Sequence, residues 1–224
     1  MLSILIDPGT TGPMLLSLKT GCAIAPFLAF LGVFLGFILG RFHNRVTSAL
    51  DFLITLPLVF PPIATGFLLL MLLGRRSAIG QLLEEVFGLQ IIFSFWGVAL
   101  ASLVAGLPLI VKPVQAAIQR ETGRLIERAY LLGKSPTATF LLVVLPTTKR
   151  AIAVGMFLAM ARSLGEVGVT MMLGGNIVGK TNTVSLEIYN SVFTGDYDRA
   201  FALVIVLGAV SLLLITLTRG CAKE

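Results

Sequence analysis

Four stretches of this chain run nineteen or more residues without an Asp, Glu, Lys or Arg: Thr20 to Leu39, Phe52 to Gly74, Val86 to Val111 and Ala200 to Thr218. A helix needs about 20 mostly apolar residues to cross the roughly 30 Å hydrocarbon layer. Lipid offers no hydrogen-bond partners, so each run must satisfy its own backbone as a helix. A fifth run, from about Ala151 to Gly175, is apolar apart from Arg162 and Glu166 and is long enough at 1.5 Å per residue. The expected fold is all-α and membrane-embedded, with about five transmembrane helices near 15–40, 50–73, 92–111, 151–174 and 200–218 in a single domain, 1–224. Only 12% of residues are charged and 56% are hydrophobic, where soluble domains carry about 25% charged residues. The first run is too long for a secretory signal and lacks its small-residue cleavage site, so it is expected to stay in the chain.

Eleven of the seventeen Lys and Arg fall on one side of these spans, at 41–49, at 112–150 and in the C-terminal tail. The positive-inside rule makes that side cytoplasmic, with the N-terminus outside and the C-terminus inside. A net charge of +6 therefore reports orientation, and no nucleic-acid partner is implied. Cys22 and Cys221 are too few for a disulfide framework or metal site and read as a small core residue and a tail thiol. The one histidine, His43, lies in a short basic loop, so no convergent set of catalytic side chains is present.

The first fourteen residues, with Asp7-Pro8-Gly9 and Gly12-Pro13, read as irregular. Pro57 and the pair Pro61-Pro62 should kink or break the second span, and such a break needs a protein or water-lined neighbour. Ile79, Leu82, Leu83 and Val86 fit either a short amphipathic helix on the membrane surface or a plain connector. Gly174 to Asn182 is turn-rich, and Val184 to Phe193 reads as a short helix before the last span.

Residues 122–146, within the long basic stretch 112–150, carry the most specific pattern. Leu125, Ile126, Ala129 and Tyr130 form an apolar stripe at helical spacing, with Arg124, Glu127, Arg128 and Lys134 on other faces. Gly133 stands where a left-handed residue would end that helix. Ser135 caps and Pro136 opens a second helix, which Leu145-Pro146 is expected to end, with Thr147 or Thr148 capping the fourth span. Such a surface hairpin either docks a partner protein or rests on lipid headgroups.

Glu127-Arg128-Ala129, Gly133, Val143 and Leu145-Pro146 resemble, in residue and spacing, the EAA motif of bacterial ABC-importer permeases, E-A-A-x3-G-x9-I-x-L-P. Arg128 and Val143 depart mildly from it. The resemblance implies a type I importer fold in which 122–146 is the segment that seats in an ATPase subunit. Glu127, Ala129 and Gly133 would be docking residues, and Leu125, Ile126 and Tyr130 apolar anchors. Arg128, Leu145 and Pro146 complete the motif. The resemblance also implies that ATP and Mg would bind the partner ATPase and that no cofactor would bind here.

Arg162 and Glu166 lie four apart on one helix face within the fourth span. Buried ionisable groups either steady packing as a pair or line a path; a dianion passing Arg162 would also meet Glu166, which favours the packing role. The stretches Ala161-Arg162-Ser163-Leu164-Gly165-Glu166, Gly179-Lys180-Thr181-Asn182-Thr183 and Leu56 to Pro62 are similar to those of molybdate permeases. That resemblance makes Arg162, Ser163, Glu166, Pro61 and Pro62 candidates for a pathway or gate. It implies import of molybdate, with tungstate, sulfate or thiosulfate as alternative oxyanions. The implied assembly is a homodimer with two ABC ATPase subunits and an extracytoplasmic molybdate-binding protein, in the lipid of a prokaryotic inner or plasma membrane. An ion-coupled secondary transporter would instead call for inverted repeats and several buried ionisable groups.

Overall fold

Helix α1 (Pro8–Arg41) begins where a proline's missing N–H costs nothing, and the Asp7 carbonyl accepts from the N–H groups of Thr10 and Thr11 at 2.8 and 3.0 Å. The computed structural model describes residues 7–223, and every regular element among them is helical. Residues 8–14 are thus helical where an irregular segment was expected. The Asp7 carboxylate pairs with Arg199 near the last helix, which ties this end of α1 down. Cys22 is exposed on α1 and not in the core as expected, while the Cys221 side chain and Glu224 lie outside the described groups.

The chain continues as α2 (Arg45–Val59), α3 (Pro62–Leu73), α4 (Ala78–Phe87), α5 (Phe95–Ala117), α6 (Gly123–Leu131), α7 (Pro136–Thr139), α8 (Leu145–Leu164), α9 (Gly168–Gly174), α10 (Val184–Thr194) and α11 (Tyr197–Lys223). The expected second span is broken between α2 and α3, as Pro61-Pro62 require. The pair α3 and α4 bends by 59° at its junction, and α4 exposes Ile79, Leu82 and Val86. The expected fourth span differs more: the helical path runs unbroken over Pro136–Leu164, then stops at Gly165, and α9 is a separate short helix. Gly9–Arg41, Phe95–Arg120 and Pro136–Leu164 are each long and apolar enough to cross a membrane.

Helix α5 is the hub, packed against α1, α2, α8 and α9. Ile110 and Val114 of α5 are fully buried with Leu28 of α1 and Ala159 of α8. Gly32, Gly36 and Gly40 recur every fourth residue on α1 and let its backbone approach α5. A Cβ on Gly36 would lie 2.7 Å from Val114 Cγ1 and 3.1 Å from the Val111 carbonyl oxygen. Membrane helices lack a hydrophobic drive between them, so small residues that permit close contact supply the packing. Gly36→Ile should therefore push α1 from α5 and lower stability by about 1–3 kcal/mol, the usual range for overpacking. Thermal unfolding in detergent checks this, with Gly12→Ile, which meets open space, as the control.

Candidate functional site

The third span passes into the surface hairpin without a loop. Ile118–Thr122 form one wide π-turn, closed by the Gly123 N–H donating to the Ile118 carbonyl, and α6 follows directly. At the far end of α6, Gly133 adopts φ 75, its N–H donating to the Tyr130 carbonyl at 2.9 Å, while the Lys134 N–H reaches back to the Ala129 carbonyl at 3.0 Å. That pair of bonds is the Schellman helix ending, which requires a left-handed residue. Ser135 then accepts from the Ala138 N–H at 3.2 Å, and Pro136 opens α7.

Leu145-Pro146 does not end that second helix. A second π-turn over Phe140–Val144 shifts the bonding by one residue just before Pro146, so the helix accommodates the proline and runs on into α8. Thr147 and Thr148 therefore do not cap a new helix. Their hydroxyls donate back to the carbonyls of Val143 and Val144 at 2.6 and 2.7 Å. The two π-turns touch, and Thr122 Oγ1 lies 3.3 Å from Thr147 Oγ1 between them.

The apolar stripe is divided between two tasks. Ile126 is 0% exposed and packs with Ile118 and Val144 in the chain's own core, and Ala129 is 6% exposed, so both side chains are covered by this chain itself. Helical periodicity places these residues on one face and says nothing about what covers it. On α6 and at its end the exposed apolar groups are Leu125, Tyr130, Leu131 and Leu132, the last two 87% and 80% exposed, and Leu141 and Leu142 are exposed on the second arm. Leu131 falls between the stripe's positions, whereas Leu132, three residues after Ala129, continues its spacing as the cap of α6 and had a readable signal. Arg128 and Pro146 are exposed and Leu145 half-buried. Glu127 Oε1 accepts from Arg41 Nη1 at 3.2 Å, which holds α6 to the end of α1.

Arg162 forms an ion pair with Glu166, whose side chain is only 1% exposed. The other carboxylate oxygen of Glu166 accepts from the Val169 N–H at 2.8 Å and so satisfies the start of α9. Ser163 is buried and donates to the Ser102 carbonyl at 2.6 Å, fastening α8 to α5. Glu166 and Ser163 therefore direct polar atoms into the protein itself. Pro61 and Pro62 are exposed at the broken helix, and a Cβ on Gly168 would lie 2.8 Å from Pro62 Cβ. The structure thus sets the α2–α3 break beside the α8–α9 break.

Two ionic features were not read from the sequence. Lys112 Nζ lies 2.7 Å from Asp51 Oδ1 and joins α5 to α2 as a half-buried pair, although the sequence places Lys112 with the basic surface segment. Arg199 reaches Asp7, Glu187 and Asp196, and Glu187 also accepts from Asn182 Nδ2 at 2.6 Å. Among the described residues no group of three or more His, Cys, Asp or Glu could hold a metal ion.

This helical arrangement is the type I ABC permease fold. It matches a chain of a bacterial ABC transporter involved in the import of the acidic polysaccharide alginate, with a TM-score of 0.76 over 99% of this chain and 82% of that one at 16% identity. Residues 32–223 match the family described as binding-protein-dependent transport system inner membrane component, and the chain belongs to that family. It is 35% identical over 98% of its length to the molybdenum transport system permease protein ModB of Escherichia coli (strain K12), covering 96% of that protein. It is 36% identical over 95% of its length to ModB of Mycobacterium bovis, covering 80% of that protein.

Proposed function

We propose that this chain is the membrane-spanning subunit of an ATP-driven molybdate importer, acting as a homodimer fed by an extracytoplasmic binding protein. ATP and its Mg are bound and hydrolysed by two separate ATPase subunits seated on the hairpin from Gly123 to Pro146. The N-terminus lies outside and the C-terminus in the cytoplasm, with five crossings made by α1, α2 with α3, α5, the Pro136–Leu164 helix and α11. The chain itself holds no cofactor.

One observation carries this reading: the hairpin is anchored on the chain's own core and yet presents unpaired apolar side chains. Ile126 and Ala129 fix it to the core, Glu127 to α1, and Gly133 closes it, while Leu131 and Leu132 project outward. A lever needs this combination of a firm root and a free face, so that closure of the ATPases moves whole helices as rigid bodies. The paired breaks at Pro61-Pro62 and at Gly165 fit a gate, since interrupted helices are where membrane transporters expose backbone to a path. Arg162 and Glu166 support that gate by holding α8 and α9 in register, while Ser163 fastens α8 to α5.

Molybdate as the cargo follows from the relatives of that name at 35–36% identity. Uptake of radiolabelled molybdate by cells carrying the whole importer tests it. Excess tungstate, of like charge and geometry, should suppress uptake and excess sulfate should not. Equal suppression by sulfate would remove the molybdate assignment.

A further inference from the structure

At the Phe95 end of α5, about 34 Å from the hairpin by the helical rise over its 23 residues, an open cleft of about 840 Å³ lies between the α3–α4 junction and the loop after α9. Its rim carries Arg75, Arg76 and Lys180, and its floor includes Met71, Ile92 and Phe93. Arg75 lies 3.7 Å from Glu84, while Arg76 and Lys180 have no ion-pair partner among the described residues. Phe93 is held at φ 57, a conformation rare for an aromatic residue, by its N–H donating to the Leu173 carbonyl at 2.7 Å. Its ring lies over Gly175 and is 49% exposed; Met71 is 63% exposed. Strain of this kind, about 1–3 kcal/mol, persists where the surroundings over-determine it, and here it sets an aromatic ring on the cleft floor.

We propose that this cleft binds an anionic phospholipid, the headgroup phosphate on Arg76 and Lys180 and an acyl chain over Met71 and Phe93. The shared chemistry of the rim is that of any oxyanion. The floor discriminates: a free oxyanion would use the cations alone and leave the apolar surface wet, whereas a lipid covers both. The adjoining α4 exposes Ile79, Leu82 and Val86 beside the same rim, as a helix lying in a lipid interface does. The inference requires that the chain is membrane-embedded and is independent of which anion it transports.

Native mass spectrometry of the full-length chain, with phosphatidylglycerol and phosphatidylcholine of matched acyl chains, tests it. Wild type should retain phosphatidylglycerol preferentially. Arg76→Gln with Lys180→Gln should lower that retention about 25-fold, at about fivefold per basic residue, and Arg76→Lys should keep it. Both variants lie on the surface, and an unchanged melting temperature confirms that they fold. Equal retention of the two lipids, or no change in the double variant, would overturn the proposal. Displacement of the lipid by submillimolar molybdate or phosphate would overturn it in favour of a free-oxyanion site. Unchanged lipid retention with lost docking of the binding protein would overturn it in favour of a protein-docking surface.

Discussion

Gly133→Val should leave the assembled importer able to hydrolyse ATP while molybdate uptake falls on the order of tenfold. A Cβ at Gly133 meets nothing within 4 Å, so the substitution acts on the backbone alone. At φ 75 a β-branched residue costs about 1–3 kcal/mol, which favours turns that give up the bonds from Gly133 and Lys134 to the end of α6. The hairpin would then loosen between its two helices, and the motion delivered at Leu131 and Leu132 would no longer reach α8. Gly133→Asn should retain most uptake, because asparagine tolerates the left-handed region. Uptake and hydrolysis measured in the same proteoliposomes check this. Equal loss of both activities would mean that the turn seats the ATPase without transmitting its motion.

Arg162→Gln should destabilise the chain by about 1–3 kcal/mol, the cost of leaving a buried acceptor without its partner, since the Arg162 side chain is itself 35% exposed. The reason lies with Glu166: at 1% side-chain exposure its carboxylate would face the bundle without a counter-charge. Arg162→Gln combined with Glu166→Gln should recover most of the loss, because the new side-chain amide still offers an oxygen to the Val169 N–H and no charge remains buried. The double variant should also transport. Thermal unfolding and uptake together decide the matter: a stable but inactive double variant would place Arg162 in the anion path.

What the sequence made legible was local. The left-handed turn at Gly133 follows from chirality at one residue, and the Arg162–Glu166 pair from helical spacing. The break at Pro61-Pro62 follows from missing backbone donors. What it hid was relational. Periodicity grouped Leu125, Ile126, Ala129 and Tyr130, but only the packing of α6 on Val144 shows that Ile126 and Ala129 face inward. The helix continuing through Leu145-Pro146 depends on a π-turn for which no residue pattern signals. Lys112 and Asp51 are 61 residues apart, and their pairing exists only once α2 meets α5. The Gly32, Gly36 and Gly40 stripe had a readable spacing and went unread, overshadowed by the apolar character of the whole run.

If a separate nucleotide-hydrolysing subunit moves these membrane helices by gripping the hairpin, the chain cannot work without it. Reconstitution in proteoliposomes, alone and with the ATPase partner, tests this dependence most directly. Molybdate should accumulate from the binding protein only when both the ATPase and ATP are present. Accumulation against a gradient by the chain alone would contradict a lever driven from outside.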